Sequence, residues 1–321
     1  MPNLSQPTFR HRVEFRLFRA FDRLLSAFPD STVQTLGQGM GLLAFHLDRR
    51  HRNVALDNIR ASNLGLTEKQ AYGIARESFR HFGELLFSSI PLMHAEAAQL
   101  DHLVHVEGLE HFDAAAAEGK GFIQLTGHYG NWEAIALAQS RHGRGLAVIA
   151  RELDNPLLEP VLTGLRTRFG NTVIPKDGGV RGSLKALKAG QGVGFLMDQD
   201  ALGMGGFVRF MGRWASTFLT AGTLAVKFDL PILPVFSWPE ADGTTTVRFE
   251  PPFHVPNSGN LDRDIWVATQ LMARRIEDQV RKDPRWWFWM HQRFKTQPRD
   301  GHPVPPPEWI ESYSAAFPPQ P

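Results

Sequence analysis

A chain of 321 residues with 42% hydrophobic and 21% charged residues can bury a sizeable core, which excludes wholesale disorder and fibrous architectures. It has no cysteine, so disulfide frameworks, thiol nucleophiles and cysteine zinc sites are all excluded. With 35 Lys+Arg against 33 Asp+Glu the net charge is +2, which disfavours the contiguous basic face a nucleic-acid binder needs.

At the N-terminus no apolar run reaches the roughly 18 residues of a spanning helix, and no signal peptide is evident. Instead Phe15, Leu17, Phe18, Phe21, Leu24, Leu25 and Phe28 fall near helical spacing, interleaved with Arg12, Arg16, Arg19 and Arg23. A basic amphipathic helix of this kind can lie in a membrane interface. A second apolar segment carries Leu36, Met40, Leu42, Leu43, Phe45 and Leu47 and ends at Arg49-Arg50. Its Gly37, Gly39 and Gly41 would allow close helix approach. Two readings stand for residues 1–50: a membrane-associating segment, or two ordinary helices packed on the domain. Residues 51–100 read as helical, with Ala55, Ile59, Ala71, Ile74, Ala75 and Phe79 at helix-like intervals.

From residue 121 the pattern changes to alternating strand and helix. Strands are predicted at 121–125, 146–150, 172–174, 193–197, 232–236 and 245–249. Helices are predicted at 132–140, 156–168, 183–188, 217–228 and 264–281. This alternation predicts an α/β domain over 51–298, with a mostly parallel central sheet flanked by helices on both faces. The Pro-rich tail, 299–321, is expected to lack regular structure.

Sites in such sheets form at the carboxyl ends of strands. There the chain reads Thr126-Gly127-His128-Tyr129-Gly130-Asn131-Trp132-Glu133, then Arg151-Glu152-Leu153-Asp154-Asn155-Pro156, then Asp198-Gln199-Asp200 before a glycine-rich turn. Gly130 and Asn131 can take a tight turn that folds the Glu133 carboxylate onto the His128 imidazole. A carboxylate on one ring nitrogen fixes the tautomer and leaves the other to accept a proton. With no cysteine and no Gly-x-Ser-x-Gly elbow, the histidine is expected to activate the substrate's own nucleophile. A helix-capping carboxylate beside an unrelated histidine is the competing reading. No P-loop or dinucleotide fingerprint occurs. Asp198 and Asp200 lack a nearby histidine in sequence, so no metal site is assigned. The run from Arg285 to Lys295, with Trp286, Trp287 and Trp289, fits base stacking, an interfacial belt or core packing.

These blocks resemble the lysophospholipid acyltransferase superfamily, specifically its bacterial lipid A late-acyltransferase branch of lauroyl and myristoyl transferases, which includes related mannoside acyltransferases. The signature there is His, four residues, then Asp or Glu, here His128 to Glu133. Arg151 with Asp154-Asn155-Pro156, Asp198-Gln199 with Phe207, Phe210, Gly212-Arg213 and Thr217, Pro231 to Pro234, and Pro284 to Lys295 resemble the further blocks, over roughly 35–298. One departure stands out: many members read Arg-Pro at the second block, where Glu152 follows Arg151 here. The resemblance implies acyl transfer from a thioester of acyl carrier protein or coenzyme A to a hydroxyl of a lipid acceptor. The acceptor would be a lipid A precursor or a related glycolipid or lysolipid. His128 would be the general base and Glu133 its orienting carboxylate. Arg151, Asn155, Asp198, Gln199 and Arg213 would contact substrate. No cofactor is required, and the partners implied are the donor, the lipid and a membrane surface, not nucleic acid. The location implied is the cytoplasmic face of the inner membrane. A lipid or thioester hydrolase and a non-catalytic lipid-binding module are the alternatives.

Overall fold

The computed structural model describes residues 6–299 and 304–317. Residues 1–5 of the N-terminal segment, and 300–303 and 318–321 of the Pro-rich tail, lie outside the described residues. The chain opens with α1 (Phe9–Leu25), α2 (Asp30–Leu47), α3 (Arg49–Arg60), α4 (Glu68–His94) and α5 (Ala97–Leu103). Thr8 starts α1 with a capping box: its hydroxyl accepts from His11 N, and the His11 ring accepts from Thr8 N. Asp48 caps α3 by accepting from His51 N. Among the described residues no helix is long and apolar enough to cross a membrane.

The glycines of α2 set its distance from α4. A Cβ on Gly41 would stand 2.1 Å from the Phe79 carbonyl oxygen, and one on Gly37 would stand 2.7 Å from that of Gly83, whereas Gly39 faces open space. Backbone meets backbone at both contacts, so no side chain can yield. Gly41→Val should therefore force the helices apart and cost about 2–3 kcal/mol, while Gly39→Ala should cost nothing or stabilise. Urea midpoints of the two variants check this.

The α/β domain runs β1 (Val104–Glu107), α6 (Leu109–Ala117), β2 (Phe122–Thr126), α7 (Trp132–Arg141), β3 (Leu146–Ala150), α8 (Glu159–Thr167), β4 (Thr172–Pro175), α9 (Gly179–Lys188) and β5 (Gly192–Leu196). A hairpin follows, β6 (Gly206–Phe210) with β7 (Arg213–Thr217), then α10 (Thr220–Lys227), β8 (Ile232–Pro239), β9 (Thr245–Phe249), α11 (Leu261–Lys282) and α12 (Pro307–Ala316). The seven-stranded sheet has the order β1-β9-β8-β2-β5-β3-β4. Only β8–β9 pair antiparallel; the other pairs are parallel. All five residues of central β2 are buried, as expected of a strand covered on both faces. One core cluster includes Ile123, Leu125, Val193 and Met272, and a second includes Phe122, Leu146, Leu233 and Val247.

Two expectations are corrected. Thr217 does not begin a helix but ends β7, with α10 starting at Thr220. Nor is the described part of the tail irregular, since Pro307 opens α12, a position where its missing N–H costs nothing. Trp309 and Tyr313, one turn apart, then pack on Trp266 of α11 at ring-centroid distances of 6.4 and 5.8 Å.

Candidate active site

Parallel pairing of β2 with β5 brings the site together. Their register aligns Phe122 with Gly192 and Thr126 with Leu196, a constant offset. Carried two residues past the strand ends, that offset sets His128 beside Asp198. The imidazole Nδ1 lies 2.8 Å from Asp198 Oδ1. Asp198 Oδ2 accepts from the His128 backbone N–H at 2.6 Å and from the Trp287 indole at 2.7 Å. Two donors thus clamp the carboxylate while its other oxygen holds the ring. Burial opposes the charge on Asp198, but the facing His128 and these hydrogen bonds outweigh it and hold the carboxyl at about 2, below its ordinary 3.8.

With Nδ1–H committed to Asp198, the lone pair sits on Nε2. The Gln199 amide Nε2 lies 3.2 Å from it and donates to it. The imidazole is partly exposed, at 18% for its side chain, and walled by aromatic rings. Trp132 lies 5.0 Å and Phe288 6.4 Å away by centroid. Phe82 of α4 in turn packs on Trp132 and Phe288. The loop after Asp200 carries exposed Leu202 and Met204.

The carboxylate that meets the imidazole is therefore Asp198 and not Glu133, which the sequence reading had folded back onto it. Glu133 sits in the first turn of α7 and takes a two-pronged ion pair from Arg166 of α8, Nη2–Oε1 2.5 Å and Nε–Oε2 3.1 Å. The intervening Gly130 explains the difference. Its φ is +56°, and a Cβ there would stand 1.8 Å from the Ser237 carbonyl oxygen. This turn lays residues 128–130 along the Trp-rich segment: Gly130 N donates to Trp286 O, and Phe288 N to His128 O. Glu133 is carried away with α7. The Asp198–Asp200 pair, read from sequence as a turn with no histidine at hand, turns out to have two histidines beside it. Asp200 N donates to His291 Nε2 at 3.0 Å, and burial lowers the His291 pKa.

The remaining sequence-derived positions diverge. Gln199 and Asp198 join His128. Arg151, at the end of β3, is exposed and pairs with Asp154 at 2.8 Å. Arg213 stacks over Phe294, 4.3 Å to the ring centroid. Asn155 is buried, and its Nδ2 donates to His11 O at 3.0 Å and to Glu14 Oε2 at 2.9 Å. It thus clips α1 to the β3–α8 loop rather than facing the cleft.

Residues missed by sequence reasoning lie mostly in the Trp-rich segment. Trp287 and Trp289 are core residues at 1% and 0% exposure, which settles part of that segment as packing. Ser78 Oγ donates to Trp287 O, and Asn58 Nδ2 to Trp289 O and His291 O, fixing it to α3 and α4. Arg293, fully buried, donates to the carbonyls of Gln199 and Ser216 and to Thr217 Oγ1. Nothing local distinguishes it from Arg285 and Lys295 in the same run.

Comparison with known proteins gives the family. The family described as bacterial lipid A biosynthesis acyltransferase matches residues 4–296. A lipid A biosynthesis acyltransferase of Haemophilus influenzae is 24% identical over 279 residues, covering 87% of this chain and 86% of that protein. The lipid A biosynthesis lauroyltransferase of Escherichia coli is 22% identical, with 86% and 89% covered. A phosphatidylinositol mannoside acyltransferase of Mycobacterium tuberculosis is 26% identical over 68% of each chain. With a family match across nearly its whole length, this chain belongs to the bacterial lipid A biosynthesis acyltransferases.

Proposed function

We propose that the protein moves a fatty acyl group from a thioester of acyl carrier protein or coenzyme A to a hydroxyl of a lipid acceptor, a lipid A precursor or a related glycolipid or lysolipid. The observation that carries the reading is the His128–Asp198 pair, whose free Nε2 is met by the Gln199 amide. An amide is not a nucleophile, so the imidazole has no side chain of its own to activate and acts on the acceptor hydroxyl. Nε2 takes the hydroxyl proton as the oxygen attacks the thioester carbonyl. The tetrahedral oxyanion collapses, the C–S bond breaks, and the imidazolium returns its proton to the departing thiolate. Asp198, ionised throughout, stabilises that imidazolium.

Arg151, exposed at a neighbouring strand end, would meet phosphate on donor or acceptor, with Arg213 a second candidate. Glu133, through Arg166, holds the first turn of α7 and so the turn bearing His128. Both substrates carry long apolar chains, and thioester donors are made in the cytosol, so the site works at the cytoplasmic face of the inner membrane.

The test is incubation of purified protein with labelled acyl thioester and a lipid A precursor in mixed micelles. Acylated lipid is the expected product. Free fatty acid as sole product would instead assign a hydrolase.

A further inference from the structure

Ten of the 21 large hydrophobic side chains exposed among the described residues fall between Phe9 and Leu47, so the N-terminal helices concentrate the exposed apolar surface. Their placement is regular. At about 100° per residue, the exposed Phe9, Val13, Leu17, Phe21 and Leu24 of α1 fall within an arc of about 120°. The docked face lies elsewhere: Asp22 and Leu25 are buried, Phe21 packs edge-on against Phe87 of α4 at one margin, and Asp22 Oδ1 meets His94 Nε2 at 2.7 Å. Arg12, Arg16, Arg19 and Arg23 form a third stripe beside the exposed apolar one. Arg19 reaches Asp22 at 3.6 Å, while Arg12, Arg16 and Arg23 make no ion pair among the described residues. α1 therefore has three faces where an ordinary surface helix has two. α2 repeats the feature with exposed Leu36, Met40, Leu43 and Leu47, all within about 60° on the same helical geometry.

We propose that α1 and α2 form an in-plane platform that docks on an anionic lipid bilayer, the apolar stripes entering the acyl boundary and the arginine stripe meeting headgroup phosphates. This rests on the reading of the protein as a membrane-associated acyltransferase and gives that association a surface, an orientation and a lipid charge. Unpaired arginines flanking an apolar stripe are complementary to anionic headgroups, whereas two copies of this face would set arginine against arginine. The Asn155 clip ties α1 to the loop that follows Arg151, so the platform also fixes the cleft relative to the bilayer.

Sedimentation of the full chain with vesicles tests this, using phosphatidylcholine alone and phosphatidylcholine with phosphatidylglycerol, at low and high salt. The wild type should bind the anionic vesicles and release at high salt. The triple variant Arg12→Gln, Arg16→Gln, Arg23→Gln should lose about 100-fold in affinity for them, at roughly fivefold per charge. The double variant Leu17→Glu, Leu24→Glu should fail to bind even at low salt. Both variants should keep turnover on detergent-dispersed substrate, which also shows that they fold. Equal binding to neutral and anionic vesicles, unchanged binding by either variant, or a wild-type dimer that the leucine variant dissociates would each overturn the proposal. Wild-type binding without turnover would overturn the acyl-transfer reading and leave the platform standing.

Discussion

Replacing Asp198 with Asn should lower kcat by about 10,000-fold, the scale on which a buried aspartate supports a catalytic histidine. The carboxylate accepts three hydrogen bonds, from His128 Nδ1, His128 N and Trp287 Nε1. An amide has one accepting oxygen. If that oxygen stays with the His128 amide and the indole, the NH2 faces Nδ1 and drives the proton to Nε2. The lone pair that should receive the acceptor proton is then gone, and the imidazolium loses its counter-charge. KM should change little, because Asp198 is sealed beneath the ring and has no surface to offer substrate. His128→Ala should bring turnover to the same floor, and the double variant should be no worse than either single one, since the two act as a unit. A double-variant loss equal to the sum of the two single losses would dismiss the relay. The carboxyl sits at about 2 against an ordinary 3.8, so its folded value is depressed. Its contribution to stability is complete above about 4 and fades as pH falls toward 2. Turnover at neutral pH thus never meets a protonated Asp198.

Much of this arrangement is legible in the sequence alone. Alternating strands and helices beyond residue 121 announced the parallel sheet, and the chemistry was expected at its carboxyl edge. The error at the site came from reading partners along the chain rather than across the sheet. His128 and Glu133 are near in sequence, but a left-handed glycine and the start of a helix lie between them. His128 and Asp198 are 70 residues apart and adjacent through strand register. The strands predicted at 121–125 and 193–197, paired first residue to first, would set His128 against Asp200; the observed pairing of Phe122 with Gly192 shifts the match to Asp198. The β6–β7 hairpin was hidden because its turn, Met211-Gly212, interrupts a run whose Phe207, Val208 and Phe210 are buried while Arg209 is not, too short to separate strand from helix by period. The resemblance implies a substrate contact for Asn155, but its amide is spent on the α1 backbone and Glu14. Its real partners, on α1, lie 141 and 144 residues away, beyond any local signal.

Arg293→Met should destabilise the fold by about 3–5 kcal/mol, the cost of removing one charge from a buried polar network. The methionine has similar reach and no donor, so packing against Phe210, whose ring centroid lies 5.5 Å from the guanidinium, is largely kept. The loss is electrostatic. Three acceptors lose this donor: Gln199 O at 2.8 Å, Ser216 O at 2.6 Å and Thr217 Oγ1 at 2.6 Å, with Ser216 O keeping the Ala201 N–H at 3.2 Å. Burial pushes the guanidinium down to about 10 while the Asp198 and Asp200 charges oppose that fall, so at neutral pH it is still a cation. Removing it takes a nearby positive charge from both carboxylates, which keep only their own hydrogen bonds from His128, Trp287, Leu202 and Thr296. Arg293→Lys should recover part of the loss, since one ammonium can bond the Gln199 and Ser216 carbonyls without the fork that also reaches Thr217. Urea midpoints should rank wild type above Arg293→Lys above Arg293→Met. Because the Gln199 carbonyl belongs to the residue whose amide rests on His128, the surviving folded fraction of Arg293→Lys should show a lower kcat with KM near wild type. Equal midpoints for all three chains would mean that the buried cation does not hold this strand end in place.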